Sequence, residues 1–87
     1  MIAETYGERD AARGLPAAVA WLTEEVGELA RALRKGASIE QAEEFADVLA
    51  WLASLAVLAG VDLESVATAR YGAGCPKCGA SPCACDT

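Results

Sequence analysis

No histidine occurs in the chain, and basic residues are outnumbered, with 7 Lys and Arg against 13 Asp and Glu. Metal ligands, where there are any, must come from carboxylates or thiolates. The formal net charge of −6 disfavours unaided binding to a nucleic-acid polymer, whose phosphate backbone repels an acidic surface. An anionic nucleotide remains compatible if metal ions stand between it and the protein. Long apolar runs are also missing. The longest uncharged stretch, Val48 to Val61, covers 14 residues and is interrupted by Ser54 and Gly60, whereas a membrane-spanning helix needs about 20. The opening residues, MIAETYGERD, carry no apolar signal core, so a soluble cytoplasmic protein is expected. Aromatic residues are scarce at 6%, although hydrophobic residues make up 54% and Ala and Leu abound, a balance that favours closely packed helices. Cysteine is missing until the last 13 residues, where all four occur. In a reducing compartment such clustering points to a metal more than to disulfides. At 87 residues the chain is one small domain, for which a metal or a partner subunit is a plausible source of added stability.

Helical signals fill most of what remains. Residues 1–12 are weakly patterned, with Ile2, Thr5, Tyr6 and Arg9 able to share a face. Gly14 and Pro16 end that segment, and Pro16 suits the first turn of the next helix. The spacing predicts a long helix from Pro16 to Lys35 with a core stripe of Leu22, Val26, Leu29 and Leu33. Gly36 is a candidate C-cap, with Arg34 and Lys35 suited to the negative end of the helix. Ser38 followed by Gln41 matches a capping box, and a second long helix is expected from Ile39 to Ala59, about 31 Å long. Its first half is acidic and its second half uncharged, with Trp51, Leu52, Leu55, Val57 and Leu58 spread over more than one face. A helix apolar nearly all round needs burial nearly all round, which implies a homo-oligomer with this helix at the interface. Asp62 is a good N-cap for a short helix from Leu63 to Tyr71.

Two acidic pairs stand on these helices: Glu25 with Glu28, and Glu44 with Asp47, each three residues apart and so on one helical face. The break at Gly36-Ala37-Ser38 would fold the second helix back on the first and bring four carboxylates together. Unpaired, they repel. A hard divalent cation, magnesium or manganese, would turn the repulsion into binding. Glu25 and Glu28 also lie beside the apolar stripe, where an ordinary solvated carboxylate is less expected. On spacing alone, a solvated acidic helix face competes evenly with a metal site.

The full pattern is Glu24-Glu25-Val26-Gly27-Glu28 followed by Glu44-Phe45-Ala46-Asp47, within WLTEEVGELARAL and EEFADVLAWL. In these motifs the chain resembles the MazG family of all-α nucleoside triphosphate pyrophosphohydrolases, over about residues 1–72. The resemblance implies hydrolysis of a nucleoside or deoxynucleoside triphosphate between the α and β phosphates, giving a monophosphate and pyrophosphate, with nucleotide-pool sanitation as the role. It makes Glu25, Glu28, Glu44 and Asp47 the catalytic metal ligands, with Glu24, about 100° round the helix from Glu25, ranked below them. It also keeps a phosphoribosyl-ATP pyrophosphohydrolase in view. A non-catalytic helical adaptor is the rival of another class.

Substrate-binding candidates are Trp21, Arg31, Lys35 and Trp51. Arg31 and Lys35 continue the Glu28 face and could meet phosphate, although a Glu28–Arg31 ion pair and a C-terminal charge are the plainer readings. Trp21 precedes Glu25 by four residues and Trp51 follows Asp47 by four, so either could stack on a base, although core packing is the commoner fate of large rings. Tyr6 and Arg9 could close the site from the N-terminal segment.

Residues 73–87 form a separate segment, with Cys75, Cys78, Cys83 and Cys85 in a CPxCG…CxC arrangement. The first half matches a zinc knuckle, and four sulfurs suit a closed, structural zinc site. Disulfides or free thiols are the alternatives. The expectation is an all-α, MazG-like helical hairpin bundle over residues 1–72, completed as a homodimer or homotetramer. Magnesium or manganese would sit in the bundle and structural zinc in the tail, with a nucleotide substrate and with neither a nucleic-acid polymer nor a membrane as partner.

Overall fold

The computed structural model describes residues 1–86 and contains four helices. Helix α1 spans Ile2–Arg13, α2 Leu15–Lys35, α3 Ser38–Leu58 and α4 Leu63–Tyr71. The described residues contain no strand.

Gly14 separates α1 from α2 at φ +86°, a left-handed backbone that a side chain disfavours. Pro16 falls in the first turn of α2, where its missing N–H leaves no bond unmade. Helices α2 and α3 are both 21 residues long and are joined through Gly36 and Ala37 alone. A link that short forces them antiparallel. Ala32 is tied to Gln41, Glu25 stands by Glu44, and Trp21 stacks on Trp51, so numbers fall on α3 as they climb on α2. This hairpin is the main packing unit, and α1 lies against it, chiefly on α3.

The turn differs from a capping box. Ala37 is the N-cap of α3 and makes no side-chain cap bond. Gln41 points back instead, its Nε2 donating to the carbonyls of Ala32 at 3.2 Å and Gly36 at 3.3 Å. It thus satisfies carbonyls at the end of α2 rather than amides at the start of α3. Gly36 is extended and not left-handed, but it has a steric role: a Cβ there would lie 2.9 Å from the Ala32 carbonyl oxygen and 3.0 Å from a Glu40 carboxylate oxygen. Asp62 caps α4 as expected, accepting from the Ser65 amide at 3.2 Å. Helix α4 turns away from α3 by 101° and buries no residue.

The core is thin. Among the described residues Ala18 and Ala32 are the buried apolar ones, and no large side chain is fully enclosed. The expected stripe on α2 divides: Leu22 and Leu29 are half-buried against the hairpin, but Val26 and Leu33 are about half exposed. On α3, Phe45, Leu49 and Leu52 are exposed as well. Helical spacing sets Val19, Val26 and Leu33 on one edge of α2, and Phe45, Leu49 and Leu52 on one edge of α3. In an antiparallel pair these edges lie on the same side of the hairpin, opposite the acidic pairs. The accessible surface is 6421 Å², about 1,600 Å² more than the usual folded monomer of 9.0 kDa exposes. The radius of gyration, 15.7 Å, likewise exceeds the roughly 12 Å of a compact chain this long. Among the described residues no single helix is long and apolar enough to cross a membrane.

Candidate active site

Three of the four expected ligands converge. Glu25 and Glu28 from α2 and Glu44 from α3 each offer a carboxylate oxygen, and these oxygens lie within 4.8 Å of one another. An octahedral magnesium ion with ligands at about 2.1 Å spans oxygens about 2.9 to 4.2 Å apart, so small rotamer changes suffice to close on it. Asp47 stands one turn further along α3, outside this trio, and its charge still acts on Glu25. Glu24 is exposed and outside the cluster.

The acid test of fit is hydrogen bonding. Glu25 Oε2 and Glu44 Oε2 are both buried and have no partner among the described residues. Two facing carboxylates are acceptors only, so a shared proton or a cation must come between them. Without metal the first course is favoured. Burial, then the Glu28 carboxylate, then Glu44 and Asp47, push the Glu25 pKa up to about 7. A divalent cation supplies the second course without a proton, and the donor set is all hard oxygen. The residues therefore fit magnesium or manganese.

The cluster separates two hollows. On the side of the α2–α3 turn, a cleft of about 440 Å³ is lined by Glu28, Arg31, Lys35, Glu40, Glu43 and Glu44, with Ala32 and Gly36 at its back. No Glu28–Arg31 ion pair forms among the described residues; Arg31 and Lys35 are exposed beside the carboxylates. On the other side, a cavity of about 190 Å³ is bounded by Tyr6 and Asp10 of α1 and by Asp47, Ala50, Trp51 and Ser54 of α3. Of the two N-terminal residues that could close the site, Tyr6 lines this cavity, whereas Arg9 is exposed and does not. Trp21 and Trp51 stack on each other, with centroids 5.8 Å apart and planes 9° from parallel. Arg13 lies over the Trp51 ring at 5.2 Å and reaches Asp10 at 3.4 Å.

Asp10, Arg13 and Ser54 were not legible as site residues. Asp10 lies on a weakly patterned segment, and Ser54 reads only as an interruption of an apolar run. The usable signal is the one polar position in the uncharged half of α3.

The tail gathers its four sulfurs within 4.8 Å of one another. Cys75 Sγ and Cys85 Sγ are 3.7 Å apart and all four thiols are free. The edge of a tetrahedron with Zn–S of about 2.3 Å is about 3.8 Å. The Cys75 amide donates to the Ala80 carbonyl and the Gly79 amide to the Cys75 carbonyl, closing the knuckle, with Gly79 at φ +76°. Amides of Cys78 and Lys77 aimed at the Cys75 sulfur lower its pKa, and those of Ala80 and Ala84 bring Cys78 down to about 6. Cys85 is instead pushed up to about 11 by its cysteine neighbours, Cys83 first. The donors and the spacing suit a tetrathiolate metal site.

An antiparallel helix pair carrying an acidic cluster, beside a cleft that also holds Arg31 and Lys35, defines an all-α helical-hairpin domain. Residues 14–76 match the MazG nucleotide pyrophosphohydrolase domain, and the chain belongs to that family. It is a nucleotide pyrophosphohydrolase. The match takes in α2, α3, α4 and the first cysteine but leaves α1 outside it. No curated protein matches the chain.

Proposed function

We propose that this enzyme hydrolyses a ribo- or deoxynucleoside triphosphate to the monophosphate and pyrophosphate with magnesium, manganese serving in its place, and that it removes non-standard or surplus nucleotides. The observation that carries the reading is the pair of buried, partnerless oxygens on Glu25 and Glu44. Such atoms are costly to leave unsatisfied and a bound cation satisfies both. Glu25, Glu28 and Glu44 would hold the metal, and Asp47 would complete the set from the cavity side. When bound, magnesium lowers the pKa of a coordinated water and neutralises phosphate oxygens. Arg31 and Lys35 orient the outer phosphates in the cleft they line. A carboxylate not fully engaged as ligand takes the proton of the attacking water.

The working unit is a homodimer or a dimer of dimers, in the cytoplasm. The surplus of about 1,600 Å² per chain falls within what each partner of an obligate dimer buries. The uncovered edge of Val26, Leu33, Phe45 and Leu49 supplies the apolar centre. Cys75, Cys78, Cys83 and Cys85 would hold zinc as a structural ion, with no position left for catalysis. Its loss on chelation should release the tail from its knuckle, read as a gain in thiol reactivity at all four cysteines; thiols equally reactive before and after chelation would rule zinc out.

Paired substitutions test the catalytic reading. Glu44→Gln and Asp47→Asn should each reduce turnover at least about a hundredfold and weaken magnesium binding while the helical circular-dichroism spectrum stays unchanged. Full turnover in both variants would remove the acidic cluster from the reaction.

A further inference from the structure

The two hollows flanking the acidic cluster both carry carboxylates, but cations line one of them and not the other. Arg31 and Lys35 line the cleft on the turn side, together with Glu28, Glu40, Glu43 and Glu44. The cavity on the other side has carboxylates at Asp10 and Asp47, the aromatic ring of Trp51, and hydroxyls at Tyr6 and Ser54. A phosphate chain entering that cavity would meet carboxylates with no lysine or arginine among the lining residues to offset them. An uncharged group with N–H or O–H donors would meet acceptors.

Asp10 is 3% exposed and Ser54 4%. Asp10 has one side-chain partner, Arg13, at a long 3.4 Å, and Ser54 makes no side-chain hydrogen bond among the described residues. Both residues line the hollow, so a group entering it comes within reach of their polar atoms. At about 190 Å³ it is smaller than the usual pocket for a whole ligand, and so it is a subsite. Arg13 sits over Trp51 and beside Asp10, which holds the ring and the carboxylate in place together.

Cleavage between the α and β phosphates leaves the nucleoside on one side of the reacting centre and pyrophosphate on the other. The geometry points to a fixed polarity: pyrophosphate toward Arg31 and Lys35, the nucleoside in the cavity between α1 and α3, and Asp10 as a specificity-determining acceptor for a nucleoside hydrogen-bond donor. This rests on the pyrophosphohydrolase reading of the acidic cluster. Asp10 and Tyr6 belong to α1, outside the residues that match the family. The donor is either an exocyclic amine of the base or a sugar hydroxyl; both present the same chemistry to a carboxylate.

The experiment compares Asp10→Asn with wild type on matched substrates: amino against oxo pyrimidine triphosphates, and 3′-hydroxyl against 3′-deoxy forms. Asp10→Asn should lower kcat/KM about tenfold for the member of one pair that carries the donor, and leave the member lacking it within about twofold. Loss confined to the amino base identifies the base; loss confined to the 3′-hydroxyl form identifies the sugar. An equal fall for both members of each pair, or no fall, overturns the proposal. Ser54→Ala leaves the Asp10–Arg13 contact intact and should shift the same ratio in the same direction, which separates selectivity from misfolding. If wild type releases pyrophosphate from no triphosphate, the hydrolase reading fails by itself. The cavity is then tested by tryptophan fluorescence with free nucleosides: saturable quenching that Asp10→Asn weakens supports it, and none overturns it.

Discussion

Glu25 enters the folded state with its carboxyl held up to about 7, by burial first and then by Glu28, Glu44 and Asp47. Its ordinary value is 4.5, so folding of the metal-free chain takes up a proton between those two values. A group that binds its proton more tightly when folded contributes stability below pH 4.5 and loses it as pH rises through 7. The melting temperature of metal-free protein should therefore fall across that interval, and magnesium should restore most above it, where no proton competes. A melting temperature insensitive to pH without metal would contradict the buried acidic pair. Glu25→Gln should melt several degrees higher than wild type in chelator above pH 7 and lose turnover by at least about a hundredfold. The acidic positions were readable in advance because a three-residue step on a helix fixes a shared face. Asp10 and Ser54 were not, since nothing in their local pattern marks a polar residue that tertiary packing will bury.

Helices α2 and α3 owe their register to the turn between them. Gly36 allows the close approach to Ala32 and Glu40, and Gln41 bonds the end of α2. Gly36→Ala places a methyl group against backbone that cannot yield easily. It should cost about 1 to 2 kcal/mol in chemical denaturation and lower turnover, because Glu28 and Glu44 stand on opposite sides of that turn. Asp62→Ala should cost about 1 kcal/mol through the lost cap of α4 without changing kcat, since α4 touches neither hollow of the site. Equal effects of the two changes on kcat would count against the hairpin as the frame of the site. The ends of α2, α3 and α4 fall within two residues of where proline, glycine and aspartate signals set them. The start of α3 was the exception: a Ser-x-x-Gln pattern allows the glutamine to turn either way, and here the carbonyls of α2 offered the better partners. Helix α1 was the least legible, because it carries few apolar residues and meets the hairpin with Arg13 over the face of Trp51.

The molecule as a whole exposes what a single chain should bury. Val26 and Leu33 follow a core period, yet about half of each faces outward, as do Phe45 and Leu49. Periodicity shows that a face is apolar and says nothing of whether the same chain or another copy covers it. Leu33→Glu with Phe45→Lys, on the face away from the acidic cluster, should convert a species of at least twice the 9.0 kDa chain mass into monomer by light scattering. The monomer should also be less stable, since each side chain forfeits about 1.5 to 3 kcal/mol of burial. Wild type at the mass of one chain would refute the dimer.

Phosphorus-31 NMR of a nucleoside triphosphate turned over by the wild-type protein tests the central claim most directly. With magnesium, the account predicts monophosphate and pyrophosphate appearing in equal amounts, no orthophosphate, and arrest on addition of EDTA. Orthophosphate with diphosphate as products, or turnover that continues in EDTA, would contradict it.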